Sequence, residues 1–144
     1  SPSNLADLEG NLIGREHLPA RLAVPHRSLT PSASSLMAST LSKIRARNPH
    51  RGAITETYIA ELTDALSELA RVTAIGGHVV LVVGNNTVAG HSFPNDEVIA
   101  MTMHDLGLEL ILALRDRIHS RGLLTSRHSS ASLIGGETVL LFKK

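Results

Sequence analysis

The run from Arg71 to Asn86 constrains this chain more than any other. It joins a helix-like end, Arg71-Val72, to a Gly76-Gly77 turn, then to the apolar stretch Val79-Val80-Leu81-Val82-Val83, then to a polar stop at Gly84-Asn85-Asn86. A strand that is apolar on every residue needs cover on both faces, which is the habit of a parallel sheet in an α/β fold. Such sheets place their ligands at the carboxyl ends of the strands, here at Gly84, Asn85 and Asn86.

The rest of the chain divides around this strand. Residues 1–52 carry Pro2, Pro19, Pro25, Pro31 and Pro49, which interrupt any long helix, and they form an irregular, Pro/Ser-rich segment. Within it Met37, Leu41 and Ile44 predict one short helix over 32–47, followed by a basic loop holding Arg45, Arg47 and Arg51. Residues 53–144 form the main domain. Ile54, Tyr58, Ile59, Leu62, Leu66, Leu69 and Val72 recur at helical spacing and predict an amphipathic helix over 53–73 with its stripe on the sheet. After a loop over 85–94, Asn95 is placed to cap a helix whose first turn holds Asp96 and Glu97, and Met101 and Met103 are read as core filling. Strands are expected over 108–118 and 137–142. The polar loop of 120–136 between them shows no helical pattern, so the pair should be antiparallel. That ending leaves the His78–Gly84 strand with an unpaired flank, which implies a missing neighbour or a partner.

Composition excludes several chemistries. With no cysteine there is no disulfide, thiolate metal site or cysteine nucleophile. The eight histidines form no H-E-x-x-H, so no metal site is expected. The serines include no G-x-S-x-G elbow, which removes support for a serine hydrolase. No apolar run is long enough to span a membrane and no signal-peptide layout opens the chain, so a cytoplasmic protein is expected. The net charge of +1 hides a partition: residues 1–52 carry +4, 53–110 carry −7 and 111–144 carry +4. Two basic ends around an acidic middle suggest a polyanionic partner, although an acidic amphipathic helix showing its solvated face gives the same pattern.

An amphipathic helix, an Arg-Val-x-x-x-Gly-Gly turn and an apolar strand ending in Gly-Asn together resemble the middle of class I S-adenosylmethionine-dependent methyltransferases. The antiparallel last strand beside its parallel neighbour is a hallmark of that Rossmann-like fold. The tail around Arg115, Arg117, Arg121, Arg127 and His128, with Glu137-Thr138-Val139-Leu140-Leu141-Phe142, is similar to the C-terminal end of DNA methyltransferases acting on exocyclic amino groups. The resemblance covers 53–144. It implies a partial methyltransferase sheet with helices packed on it and an antiparallel C-terminal strand, S-adenosylmethionine as cofactor, DNA as partner, and direct methyl transfer to a positioned amine.

By the same resemblance Arg115, Arg117, Arg121, Arg127 and His128 grip phosphates, against the plainer reading of a solvated hairpin. Asn85 and Asn86 suit either a base edge or a tight turn. The family's target-amine tetrad has one match, Ser1-Pro2-Ser3-Asn4, where Ser1 and Pro2 fit but Ser3 replaces a proline and Asn4 replaces the stacking ring. No strand followed by a G-x-G turn is present to hold the cofactor; Ile13-Gly14 and Gly135-Gly136 lack the context. The chain therefore looks like the C-terminal half of such an enzyme, to be completed by an N-terminal half or a partner chain, and its initial Ser fits a fragment. The alternative is a non-catalytic nucleic-acid-binding remnant or subunit, and RNA remains open as the nucleic acid under either reading.

Overall fold

The computed structural model describes residues 8, 10, 12–15, 29–117 and 136–144. The continuously described part of the chain opens with helices α1 (Pro31–Arg47) and α2 (Pro49–Val72). The expected basic loop is absent. Arg45 and Arg47 close α1, while Arg51 lies in the first turn of α2. Asn48 alone separates the helices: its backbone N–H donates to the Ile44 carbonyl at 2.8 Å and its side chain accepts from the Arg51 amide at 3.0 Å. Pro49 does not break α2, because a first-turn position needs no N–H donor and suits its fixed φ. Helix α2 runs through residues 52 and 53 without interruption.

The buried stripe of α2 is smaller and more polar than the spacing of its large apolar residues implies. Gly52, Thr55, Ile59, Ala60, Thr63, Leu66 and Ala70 are buried, whereas Val72 is 64% exposed. The threonines can be buried because each hydroxyl donates to the carbonyl four residues back, Thr55 to Arg51 and Thr63 to Ile59.

The turn after α2 behaves as its sequence demands. Gly76 has φ +78°, and a side chain on Gly77 would meet the Ala74 carbonyl oxygen at 2.8 Å. The chain end closes this corner: the Lys144 ammonium donates to the Ala70 and Thr73 carbonyls, and its charge suits the negative end of α2.

Strand β1 (His78–Gly84) follows, then a short hairpin of β2 (Asn86–Val88) and β3 (His91–Phe93), helix α3 (Asn95–Asp105), β4 (Glu109–Arg117) and β5 (Gly136–Lys143). The hairpin lies inside the expected loop of 85–94. Its strands are three residues each, too short for an alternating pattern to show, and its turn places Ala89 at φ +48° beside Gly90 at φ +80°.

The main sheet has the order β1-β5-β4, with β5 antiparallel to both neighbours. Strands β1 and β4 thus run parallel to each other with the last strand inserted between them. The antiparallel pairing of the last two strands is borne out. The parallel, doubly covered sheet is corrected: both pairings are antiparallel, and among the described residues helices cover one face only. On that face Val79 and Leu81 join Leu140 and Phe142 of β5, packed with Leu66 and Ala70 of α2, Ile99 and Met103 of α3, and Leu108. On the other face Val80 and Val82 are 60% and 62% exposed, and Leu112 and Leu114 lie open as well. The described architecture is therefore a mixed one of helices and an antiparallel sheet.

A second core joins α1 to the hairpin through Met37, Ile44, Ile59, Phe93 and Val98. Asp105 at the end of α3 holds the start of α1, accepting from the Ser32 amide at 2.8 Å and the Ser32 hydroxyl at 2.6 Å. Those bonds hold its carboxyl below the ordinary aspartate range. Among the described residues no helix is long and apolar enough to cross a membrane.

Candidate nucleic-acid interface at the carboxyl end of the first strand

Chain geometry gathers polar side chains where β1 ends. The β2–β3 hairpin carries the backbone out and returns it at Phe93-Pro94, so α3 begins beside the residues that close β1. Asn95 does not cap its helix, as the sequence pattern predicted; Pro94 occupies the cap position and Asn95 is the first helical residue. Its side chain turns back toward β1 instead. Its amide donates to the Gly84 carbonyl at 2.9 Å and to Asn86 Oδ1 at 3.4 Å, while Asn95 Oδ1 accepts from the Tyr58 hydroxyl at 3.0 Å. Burial raises the pKa of that phenol and keeps it a donor.

Asp96, 5% exposed, is the hub of the site. Its backbone N–H donates to Asn85 Oδ1 at 3.1 Å. Asp96 Oδ1 accepts from the Glu97 amide at 2.9 Å, and Oδ2 accepts from the Thr138 hydroxyl at 3.1 Å. Arg115 Nη2 stands 3.8 Å from Oδ2, with its guanidinium mostly in solvent. One carboxylate therefore links the loop after β1, the start of α3 and both strands of the β4–β5 pair. A buried carboxylate with this many hydrogen-bond donors fixes the positions of the elements that supply them.

The structure brings Asn85, Asn86 and Arg115 into one neighbourhood. Arg117 follows two residues along β4 and pairs with Gly136 at the start of β5. Ser1, Pro2, Arg121, Arg127 and His128 lie outside the described residues. Asn95, Asp96, Thr138 and Tyr58 were not foreseen as site residues. The sequence offered only the helix-start signal at 95–97, and nothing in a linear pattern pairs residue 96 with residue 138. Met103 is buried as expected, but Met101 is 43% exposed.

The arrangement presents amide groups and a tethered guanidinium beside a second arginine, which suits hydrogen-bonding anions or base edges. It does not stack bases. Tyr58 and Phe93 pack against each other with centroids 6.1 Å apart, and Phe93 and Phe142 are both buried. These three are all the aromatic residues of the chain. Among the described residues no group of histidines, aspartates and glutamates could hold a metal ion.

No family model and no curated protein matches this chain. Among solved structures it is similar to a candidate DNA modification methylase from Thermus thermophilus, determined with S-adenosyl-L-methionine bound. The identity is 22% and the TM-score 0.48, over 62% of this chain and 38% of that one. A likeness of that size assigns no activity. The chain spans well under half the length of that protein.

Proposed function

We propose that this chain is the C-terminal part of an S-adenosylmethionine-dependent methyltransferase that modifies an exocyclic amino group of a DNA base. The observation that carries the reading is the insertion of the last strand, antiparallel, between two strands that run parallel to each other. The Arg-Val-x-x-x-Gly-Gly turn and the basic residues of β4 support it, as does the polar cluster at the end of β1. In this reading Arg115 and Arg117, with Arg121, Arg127 and His128 beyond them, meet phosphates, and Asn85 and Asn86 face the nucleotide.

The described residues do not fit the cofactor. They include no glycine-rich turn after a strand through which backbone could approach it. Asn95 and Asp96, the buried polar groups nearest the ligand end of the sheet, already have hydrogen-bond partners within the chain. S-adenosylmethionine is therefore assigned to an upstream half, which would also supply the ring that stacks the extruded base. This chain's contribution is to hold the nucleic acid.

The test is methyl transfer from labelled S-adenosylmethionine to duplex DNA, by this chain alone and by a protein that joins it to an upstream half carrying the glycine-rich turn. Transfer by the joined protein only is expected. No label on DNA or RNA from the joined protein would overturn the reading. Buried aromatics and a saturated polar cluster favour one second reading, a non-catalytic nucleic-acid-binding subunit, which predicts binding without transfer.

A further inference from the structure

The basic residues that end α1 and begin α2 form a corner, and the fold sets that corner beyond the ligand end of the sheet. Helix α2 runs back along β1. Leu66 and Ala70 pack with Val79 near the start of the strand, while Tyr58 reaches Asn95, whose amide holds the Gly84 carbonyl at its end. From Tyr58 to Val72 the helix rises ~21 Å, matching the ~20 Å length of β1. The turns before Tyr58 therefore carry α2 ~13 Å past the end of the strand, and Asn48 folds α1 back from there. The β2–β3 hairpin reaches the same place. Its turn at Gly90 lies against the Arg47 guanidinium, whose Nη1 stands 2.7 Å from where a Cβ on Gly90 would be.

Charge separates this corner from the rest of the site. No acidic residue occurs over 31–55 or over 85–94. Lys43, Arg45, Arg47 and Arg51 are set against Glu56 alone, which pairs with Arg45 and leaves +3. At the end of the β4–β5 pair, by contrast, Arg115 and Arg117 are matched by Asp116 and Glu137, which stand opposite each other. Asp96 and Glu97 lie close by, at the start of α3. The larger positive field at the carboxyl end of the sheet thus belongs to the α1–α2 corner. Lys43 and Arg47 are exposed, lie one turn apart on the same face of α1, and have no hydrogen bond or ion pair among the described residues. An exposed ridge of this kind binds a polyanion by releasing its counterions, without the buried donors that a small anion requires. It does not suit a lipid surface: among the described residues no large hydrophobic side chain between Ile13 and Val72 is exposed to enter one.

We infer that the α1–α2 corner is a second phosphate-binding surface, on which Lys43 and Arg47, within the field of Arg51, hold the backbone of duplex DNA beside the nucleotide that Asn85 and Asn86 face. The choice of duplex DNA rests on the methyltransferase reading; the place of the surface rests on the fold and its charges. Gly90 lies ~10 Å along the hairpin from Asn86, and β4 lies two strands from β1, another ~10 Å. One DNA strand, with a charge every ~3.4 Å, spans both basic regions within ~6 nucleotides. An upstream half that continues the sheet past β1 leaves the corner at the same end, so nothing here requires that flank to be open.

Anisotropy of a labelled DNA duplex titrated with the 144-residue chain, from ~50 to ~200 mM salt, tests this with two charge-matched double variants. Lys43→Gln with Arg47→Gln removes two positive charges from the corner. Arg71→Gln with Lys143→Gln removes two from the opposite end, where α2 stops and β1 begins. All four side chains are exposed, so the urea midpoint should stay near that of the wild type. The corner variant should bind about tenfold more weakly at the lowest salt and flatten the log–log slope by about 1.8, two contacts at ~0.9 each. The far-end variant should keep the wild-type slope. Equal losses in the two variants would show net charge alone at work and overturn the inference. So would a corner variant that binds like wild type, a wild type that binds no DNA at the lowest salt, or corner-dependent binding of an RNA hairpin in place of the duplex. The methyltransferase reading is scored separately, by label transfer in the joined protein. Transfer with equal binding losses removes the corner and keeps that reading; corner-dependent binding without transfer does the reverse.

Discussion

The two faces of the central sheet use nearly the same residue types and reach opposite fates. Toward the helices, Leu140 and Phe142 are 2% and 0% exposed, and Val79 joins them under α2 and α3. On the far side Val80, Val82, Leu112 and Leu114 are all exposed. Alternation cannot account for this, because β1 is apolar at every position from Val79 to Val83. The difference is supplied by what lies above each face: two helices on one side and none of the described residues on the other. A strand's composition thus states how many faces it is built to bury, while its surroundings decide how many it does bury.

That contrast is sharpest in stability. Phe142→Ala should destabilise the fold by about 3–5 kcal/mol, the cost of emptying a filled core site. Leu114→Thr on the open face should stay within about 0.5 kcal/mol. Urea unfolding of both variants, with unchanged slope, checks the comparison; equal costs would mean that the open face is covered.

The polar seam of the covered face comes next. Asp96→Asn keeps the shape but removes the charged acceptor shared by Thr138 and Arg115. A loss of about 1–3 kcal/mol is expected for a buried hydrogen-bonded group. A double-mutant cycle with Thr138→Val should show non-additivity, since both residues belong to one network. Additive losses would mean that the Asp96–Thr138 bond holds nothing together.

The pH dependence is the smallest effect. The Ser32 hydroxyl and amide lower the pKa of Asp105 in the folded chain. Its contribution is therefore present above the ordinary carboxylate range and disappears as the pH falls through the lowered folded value. Melting curves of wild type and Asp105→Asn should converge at acid pH and separate slightly above it; divergence toward acid would reverse the assignment.

These elements also show where linear reading succeeds. The Gly76-Gly77 turn and β1 were legible because a positive φ at Gly76 and the absence of room at Gly77 leave few residues that fit. The antiparallel end was legible because the segment between β4 and β5 shows no helical pattern. The α1–α2 corner was not: five prolines disguised it, yet Pro31 and Pro49 both sit in first turns, where proline is tolerated. The β2–β3 hairpin was hidden by its brevity. Asp96 was legible as a helix-start residue only, because its role depends on Thr138, Arg115 and Asn85 arriving from three separate elements. The apolar strand with its polar stop directed attention to the end of β1, where Arg115 stands beside the residues that fix its carboxylate partner.

Fluorescence anisotropy of the folded 144-residue chain with duplex DNA, across a salt series, tests the central claim that this chain holds the nucleic acid. Binding should weaken linearly on a log–log plot as salt rises. Arg117→Glu, which on the proposed reading removes a phosphate contact, should lower affinity and flatten the slope by about 0.9. No binding at low salt, or binding whose strength and slope are indifferent to charge reversal at Arg117, would contradict the account.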